Sequence, residues 1–171
     1  SDWYTSFNIG SSSGGFYWPR LRTDASVSRR WLPGRNLVTT VGVTYFDAKD
    51  IHSDTGFNAE AVWYSASKWI VQAGTTYNLS HPGAVGSASG YVALSHAENG
   101  KRIVTARLGG GEQAYQPFAD NGFNVGISFG ELRVSCKQWL GKHWGVNVAA
   151  SSYLSSTYDQ HGLELGLFQE F

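Results

Sequence analysis

Proton chemistry near neutral pH belongs first to histidine, and the chain has five: His52, His81, His96, His143 and His161. Three of them, His52, His81 and His161, fall in or beside stretches that read as loops, with Asp50, Asp54, Ser80, Ser155, Ser156 and Asp159 nearby in sequence. A histidine base, a serine nucleophile and an orienting carboxylate would suit hydrolysis, for instance lipid deacylation or glycan deacetylation. Those three histidines are the catalytic candidates. The compact run His52-Ser53-Asp54 would send successive side chains to opposite sides if extended. Solvated loop histidines account for the pattern more simply, so a protein without catalytic activity is the leading expectation.

His161 and Glu164 are spaced for a helix face and not for a strand, so no metal site is expected. Gly109-Gly110-Gly111 lacks the Lys-Ser/Thr of a phosphate loop and no helix is expected after it, so no cofactor is expected either. A single cysteine, Cys136, excludes an internal disulfide framework and a cysteine-based zinc cluster. Thirteen Lys+Arg balance thirteen Asp+Glu, giving zero formal net charge, which argues against a nucleic-acid partner.

Two further sets of residues carry binding chemistry. Arg22, Asp24, Arg30, Glu60, Arg107, Glu131, Arg133 and Glu164 occupy positions that alternate with apolar ones, as do Gln72, Lys137, Glu170, Tyr91 and Tyr153. On a common face they would form a paired, hydrogen-bonded network; a polar conduit for a sugar or small solute is the alternative. Aromatic residues in the expected loops, Tyr17, Trp18, Tyr115, Phe118 and Tyr158, offer flat faces on which sugar rings stack. They would otherwise serve as an aromatic rim.

The elements that position these groups follow from a period of two. Val41/Val43/Tyr45 alternate with Thr40/Gly42/Thr44, Val71/Ala73/Thr75/Tyr77 with Gln72/Gly74/Thr76/Asn78, and Leu163/Leu165/Leu167 with Glu164/Gly166. Ten such segments span about 2–11, 20–31, 37–47, 56–64, 69–79, 87–96, 102–112, 122–138, 144–154 and 161–171. In the eighth, Phe123, Val125, Ile127 and Phe129 share one phase and Leu132, Val134 and Cys136 the other, which predicts a β-bulge at Gly130-Glu131. The connections are expected to alternate strictly between short turns and longer loops.

Composition supports the same architecture. Only 15% of residues are charged while 15% are aromatic, glycine occurs 21 times, and no apolar run is long enough for a transmembrane helix. Trp3, Trp31, Trp63, Trp69, Trp139 and Trp144 all fall beside the short turns or the N-terminus, as a membrane girdle would. These features predict an all-β, antiparallel up-and-down transmembrane β-barrel of ten strands, with the short turns periplasmic and the long loops extracellular. A soluble sandwich would not require turn length and tryptophan position to agree.

The last strand, Leu163-Glu164-Leu165-Gly166-Leu167-Phe168-Gln169-Glu170-Phe171, ends on phenylalanine and resembles the signal by which outer-membrane barrels are recognised for assembly. Phe57-Asn58-Ala59, Ala61-Val62-Trp63-Tyr64, Trp69, Gly74 and Arg107-Leu108-Gly109-Gly110-Gly111-Glu112-Gln113-Ala114-Tyr115 resemble the YaiO-type outer-membrane β-barrel family, best over about 55–171. The resemblance implies a bacterial outer-membrane location, contact with outer-membrane lipid and with the barrel-assembly machinery, and a link to surface polysaccharide secretion or modification. It transfers no catalytic residue. Residues 1–171 are expected to form one barrel domain, in a processed form or as the C-terminal part of a longer protein. The function expected is that of a non-enzymatic accessory in surface polysaccharide export, anchoring or recognition. The alternatives are an outer-membrane hydrolase or a small-solute pore.

Overall fold

Alternation leaves an extended chain with one apolar and one polar face, and such chains satisfy their backbone groups by pairing edge to edge. A computed structural model describes residues 2–15, 18–98, 100–118 and 122–170. Ten strands follow one another: β1 (Trp3–Ser11), β2 (Leu21–Trp31), β3 (Leu37–Asp47), β4 (Ser53–Tyr64), β5 (Trp69–His81), β6 (Val85–Glu98), β7 (Arg102–Tyr115), β8 (Val125–Trp139), β9 (Trp144–Ser155) and β10 (Asp159–Gln169). Each pairs antiparallel with its neighbour in chain order, and β1 and β10 stand at the two ends of the sheet. The start of β1 and the end of β10 therefore lie at the same end as the short turns.

Register partners share a face, so the ladders sort the side chains. Leu37, Trp63, Val71, Leu94, Ala106, Val134, Ala150 and Leu163 form one continuous apolar row from β3 to β10. Glu60, Gly74, Tyr91, Gly109, Glu131, Tyr153 and Gln160 form a row on the opposite face. The polar face is concave. Strands two apart lie about 9.5 Å from each other in a flat sheet, yet Tyr91 on β6 bonds Glu60 on β4 and Arg133 on β8 bonds Glu164 on β10.

No interior apolar core lies between these faces. Among the described residues only Ala93 and Ala149 are buried apolar residues, while Leu163, Leu165 and Leu167 are 89%, 81% and 80% exposed. An apolar surface of that extent needs a non-aqueous neighbour.

Three sequence expectations change in detail. β4 to β7 run further than their apolar patterns and β10 begins earlier than its own. Pro82–Ala84 and the segment 156–158 are therefore three-residue connections, and 48–52 is no longer than 32–36. Short and long connections do not alternate strictly, and only 12–20 and 116–124 remain long. The ladder continues past the apolar band because Asp54, Asn78 and Ser80 bond one another across it. No bulge interrupts β8: its register with β7 and β9 runs unbroken through Gly130 and Glu131. Trp139 shares the face of Lys137 and Glu170, not that of the girdle, because its partner Gly145 belongs to the polar phase. Its ring packs edge-on against Phe168 at 5.2 Å, under Lys137. Trp3, Trp31, Trp63, Trp69 and Trp144 lie on the apolar face at the short-turn end. Phe171 lies outside the described residues.

Candidate functional site

The polar face is built by setting large side chains opposite glycine. Glu60, Tyr91 and Glu131 occupy every second strand of one row, with Gly74 and Gly109 between them. A Cβ at Gly74 would lie 2.6 Å from the Tyr91 ring, and one at Gly109 would lie 2.6 Å from the Glu131 carboxylate. Those gaps let the side chains lie across the concave surface and meet.

Tyr91 Oη donates to Glu60, and Gln72 Nε2 donates both to Glu60 at 2.9 Å and to Tyr91 at 2.8 Å. Arg107 lies over the Tyr91 ring at 3.9 Å and pairs with Glu131 at 3.3 Å. Arg133 makes a two-point pair with Glu164 at 2.6 and 2.7 Å. Lys137 reaches Glu170 at 3.0 Å. Toward β1, Arg22 pairs with Asp24, which accepts from Thr44, and Arg30 lies 5.5 Å over Tyr4. Partially exposed carboxylates and cations thus neutralise each other where the wall is surrounded by an apolar band.

At the long-loop end the surface opens into connected cavities. The largest, about 510 Å³, is lined by His52, Asp54, Asn78, Ser80, Ser87, Ser89, Phe129 and β7 from Glu112 to Tyr115. Two more, about 280 and 290 Å³, lie against Tyr153 and Glu131, and Gln113 borders all three. Phe129 and Tyr153 stack at 5.3 Å, and Tyr153 and Tyr158 at 5.4 Å. The Tyr153 hydroxyl is buried there without a hydrogen-bond partner among the described residues.

His52 closes the rim. Its Nδ1 faces the Asp50 carboxylate at 2.7 Å and its Nε2 faces the Gln116 carbonyl at 3.1 Å. Both partners are acceptors, so the ring bonds both only as an imidazolium with two donors. The Asp50 hydrogen bond raises the His52 pKa above its ordinary value, against a smaller opposing effect of burial. The same contact, led by the bond from the His52 backbone N–H, lowers that of Asp50. With both nitrogens engaged, His52 has no lone pair for a general base.

The catalytic candidates do not converge. His81 and His161 share the apolar phase, as partners of Ser53 and Ser152, while His52 stands at the opposite face. Among the described residues no serine hydroxyl bonds a histidine ring, and no group of three histidine, cysteine or acidic residues could hold a metal. Sequence reasoning overlooked Gly126-Ile127-Ser128-Phe129-Gly130, a Gly-x-Ser-x-Gly pattern. It carries no nucleophile elbow, because Ser128 lies within β8 opposite Glu112 and not on a strand-to-helix turn.

Of the aromatic candidates, Tyr115 lines the large cavity and Tyr158 joins the ring stack. Trp18 and Phe118 are exposed on loops, 56% and 66%, and Tyr17 lies outside the described residues. Phe129, Gln113 and Gln160 line the mouth and were not singled out from sequence. Counting by twos through β8 without a bulge, which puts Phe129 in phase with Glu131, Arg133 and Lys137, was the signal that could have placed it there.

The sequence model of the YaiO membrane beta barrel domain matches residues 1–116. This chain belongs to that family. The match covers Phe57–Tyr64, Trp69, Gly74 and Arg107–Tyr115 but begins at the first residue, whereas the sequence reading placed the resemblance on 55–171. A search of the curated proteins finds no match. The YaiO domain is a membrane barrel, so the apolar face meets lipid and the concave polar face is the lumen.

Proposed function

We propose that this YaiO barrel is an outer-membrane, non-enzymatic accessory to surface polysaccharide that binds or guides a glycan at its long-loop mouth. One observation carries the reading: the Phe129–Tyr153–Tyr158 stack stands beside Gln113, Gln160 and Glu131 in cavities open at that end. Sugars present apolar C–H faces to aromatic rings and hydroxyls to amides and carboxylates, and cavities that set stacked rings beside convergent polar groups suit them. The short turns at the girdle end favour placing that end in the periplasm and the mouth, with its two long loops, outside. The exposed strand β10 is then the segment offered to the barrel-assembly machinery, and outer-membrane lipid covers its leucines.

The test is a Phe129→Ala/Tyr153→Ala variant in cells, with surface and periplasmic polysaccharide quantified and acetyl content read by mass spectrometry. Less glycan outside at an unchanged barrel level supports the reading. Unchanged amount with altered acetylation would transfer the function to a hydrolase, and no change in either overturns it.

A further inference from the structure

The wall of the barrel is not continuous at its upper end. β6 pairs with β5 up to Val85, and β7 pairs with β8 up to Tyr115, but the ladder between β6 and β7 stops at Ser89↔Gly111. Gly111 is where β7 departs. Its φ is +151°, and a Cβ there would lie 2.3 Å from the Ala88 carbonyl oxygen, so a side chain is excluded. Beyond it the buried Gln116 side chain seats on Gly83 of the β5–β6 turn. His52 holds the Gln116 carbonyl from the other side.

The result is a framed opening. Its sill is the Ser89–Gly111 rung, its jambs are Val85–Ala88 and Glu112–Tyr115, and its lintel is Gln116 on Gly83. Four residues of strand give a height of about 13 Å. The cavity of about 510 Å³ lies behind it, lined by Ser87 and Ser89 of β6 and by four consecutive residues of β7, Glu112 to Tyr115. Unpaired strand edges are excluded from hydrocarbon. The outward side chains at this height are Ala88, Glu112 and Ser128, above the Val92/Leu108/Leu132 row, which puts the opening at the level of lipid headgroups.

We infer that this opening is a lateral port through which a neutral glycan chain enters the mouth from the side, an inference resting on the function proposed above. The chemistry of the frame selects the cargo. Two strand edges whose backbone N–H and C=O groups have no ladder partner among the described residues, with Ser87, Ser89, Asn78 and Gln113, suit a chain of hydroxyls and amides. Asp54 and Glu112 stand against a single cation, His52, and disfavour phosphorylated or sulfated chains.

Ser87 and Gln113 would be register partners if the ladder continued. Ser87→Cys and Gln113→Cys, combined with Cys136→Ser in the full chain, test the port directly. Oxidation should form no disulfide, whereas a bifunctional maleimide with a longer spacer should bridge the pair. Rapid, complete disulfide formation means a closed ladder and overturns the port. Binding of a fluorescent chitin oligosaccharide to the barrel in lipid nanodiscs is then compared before and after bridging, with dextran sulfate as the anionic control. Bridging should weaken oligosaccharide binding at least tenfold. Equal binding after bridging overturns the port alone. No binding to the unsubstituted barrel, which keeps Gln113 and is measured alongside, overturns the recognition function and the cargo together, while the cross-link still reports the geometry.

Discussion

Gly74 and Tyr91 face each other across the β5–β6 ladder, and their relation can be tested by the sign of a mutational effect. A Cβ on residue 74 would lie 2.6 Å from Tyr91 Cε1 and 3.0 Å from Cζ. The ring cannot swing clear without loss, because its hydroxyl bonds Glu60 and Gln72 and Arg107 covers its face at 3.9 Å. Gly74→Ala should therefore destabilise by about 1–3 kcal/mol, the range for overpacking a filled site. In a Tyr91→Ala background the obstruction is gone, and alanine in a strand exceeds glycine by about 0.5–1 kcal/mol. The same substitution then changes sign, with a coupling energy of about 1.5–4 kcal/mol. Urea unfolding in phospholipid vesicles, followed by tryptophan fluorescence, measures all four corners of the cycle. Equal effects in the two backgrounds, within about 0.5 kcal/mol, would refute the claim that large-opposite-glycine pairing builds the lumen.

Other consequences are checked more briefly. Asp50 raises the pKa of His52 above 6.5, so the rim contact is intact below pH 6.5 and is lost as pH rises through the raised value. A spin label at Pro117→Cys, with Cys136→Ser, should gain mobility over that interval; a flat profile, or the same profile in His52→Gln, would contradict the contact. Leu165→Arg places a cation on the lipid face and should destabilise by about 2–4 kcal/mol in vesicles if the site is near the midplane. An effect under about 0.5 kcal/mol would be inconsistent with that placement. A membrane-spanning sheet cannot leave edges in hydrocarbon, so β1 must close on β10 when inserted. Amides on their outer edges should then be protected from hydrogen exchange in vesicles, and rapid exchange there would count against closure.

Much of this was legible because the period of two is a direct projection of a two-faced wall. The ten segments lack any competing helical repeat, and Asn99-Gly100 between two of them is a strong turn signal. The lumen charges were legible for the same reason: a charge on alternate positions has only one face to occupy. What sequence could not give was which charges meet. Arg133 reaches Glu164 across an intervening strand, a contact set by curvature. Trp139 was misplaced because proximity to a turn does not fix phase, and one residue of phase separates girdle from lumen. The mouth was harder still. Its rings come from β8, β9 and the 156–158 turn, and only the ladders bring Phe129 and Tyr153 together.

The misread bulge in β8 shows why phase and polarity must be kept apart. Below Gly130 the outward residues are Leu132, Val134 and Cys136 and the inward ones Glu131, Arg133 and Lys137; above it Ser128 and Gly126 face out while Phe129, Ile127 and Val125 face in. The backbone register does not change. What changes is the medium outside the wall. Where lipid surrounds the strand, apolar side chains gain nothing by turning inward and charges must do so. Where water surrounds it, the ordinary rule returns and apolar groups turn in. Along β6–β8 a polarity inversion at constant register therefore locates the upper boundary of the membrane at the Gly90–Gly110–Gly130 row. On β1–β5 the outward face stays apolar above the same row, at Ile9, Val43, Phe57 and Tyr77, because tilted strands carry a register row obliquely through the bilayer. The inversion also explains why the aromatic residues of the mouth begin one step above that row. The strands that carry the barrel through the membrane continue past it as walls of a water-exposed vessel, and its lining is the surface a glycan would meet.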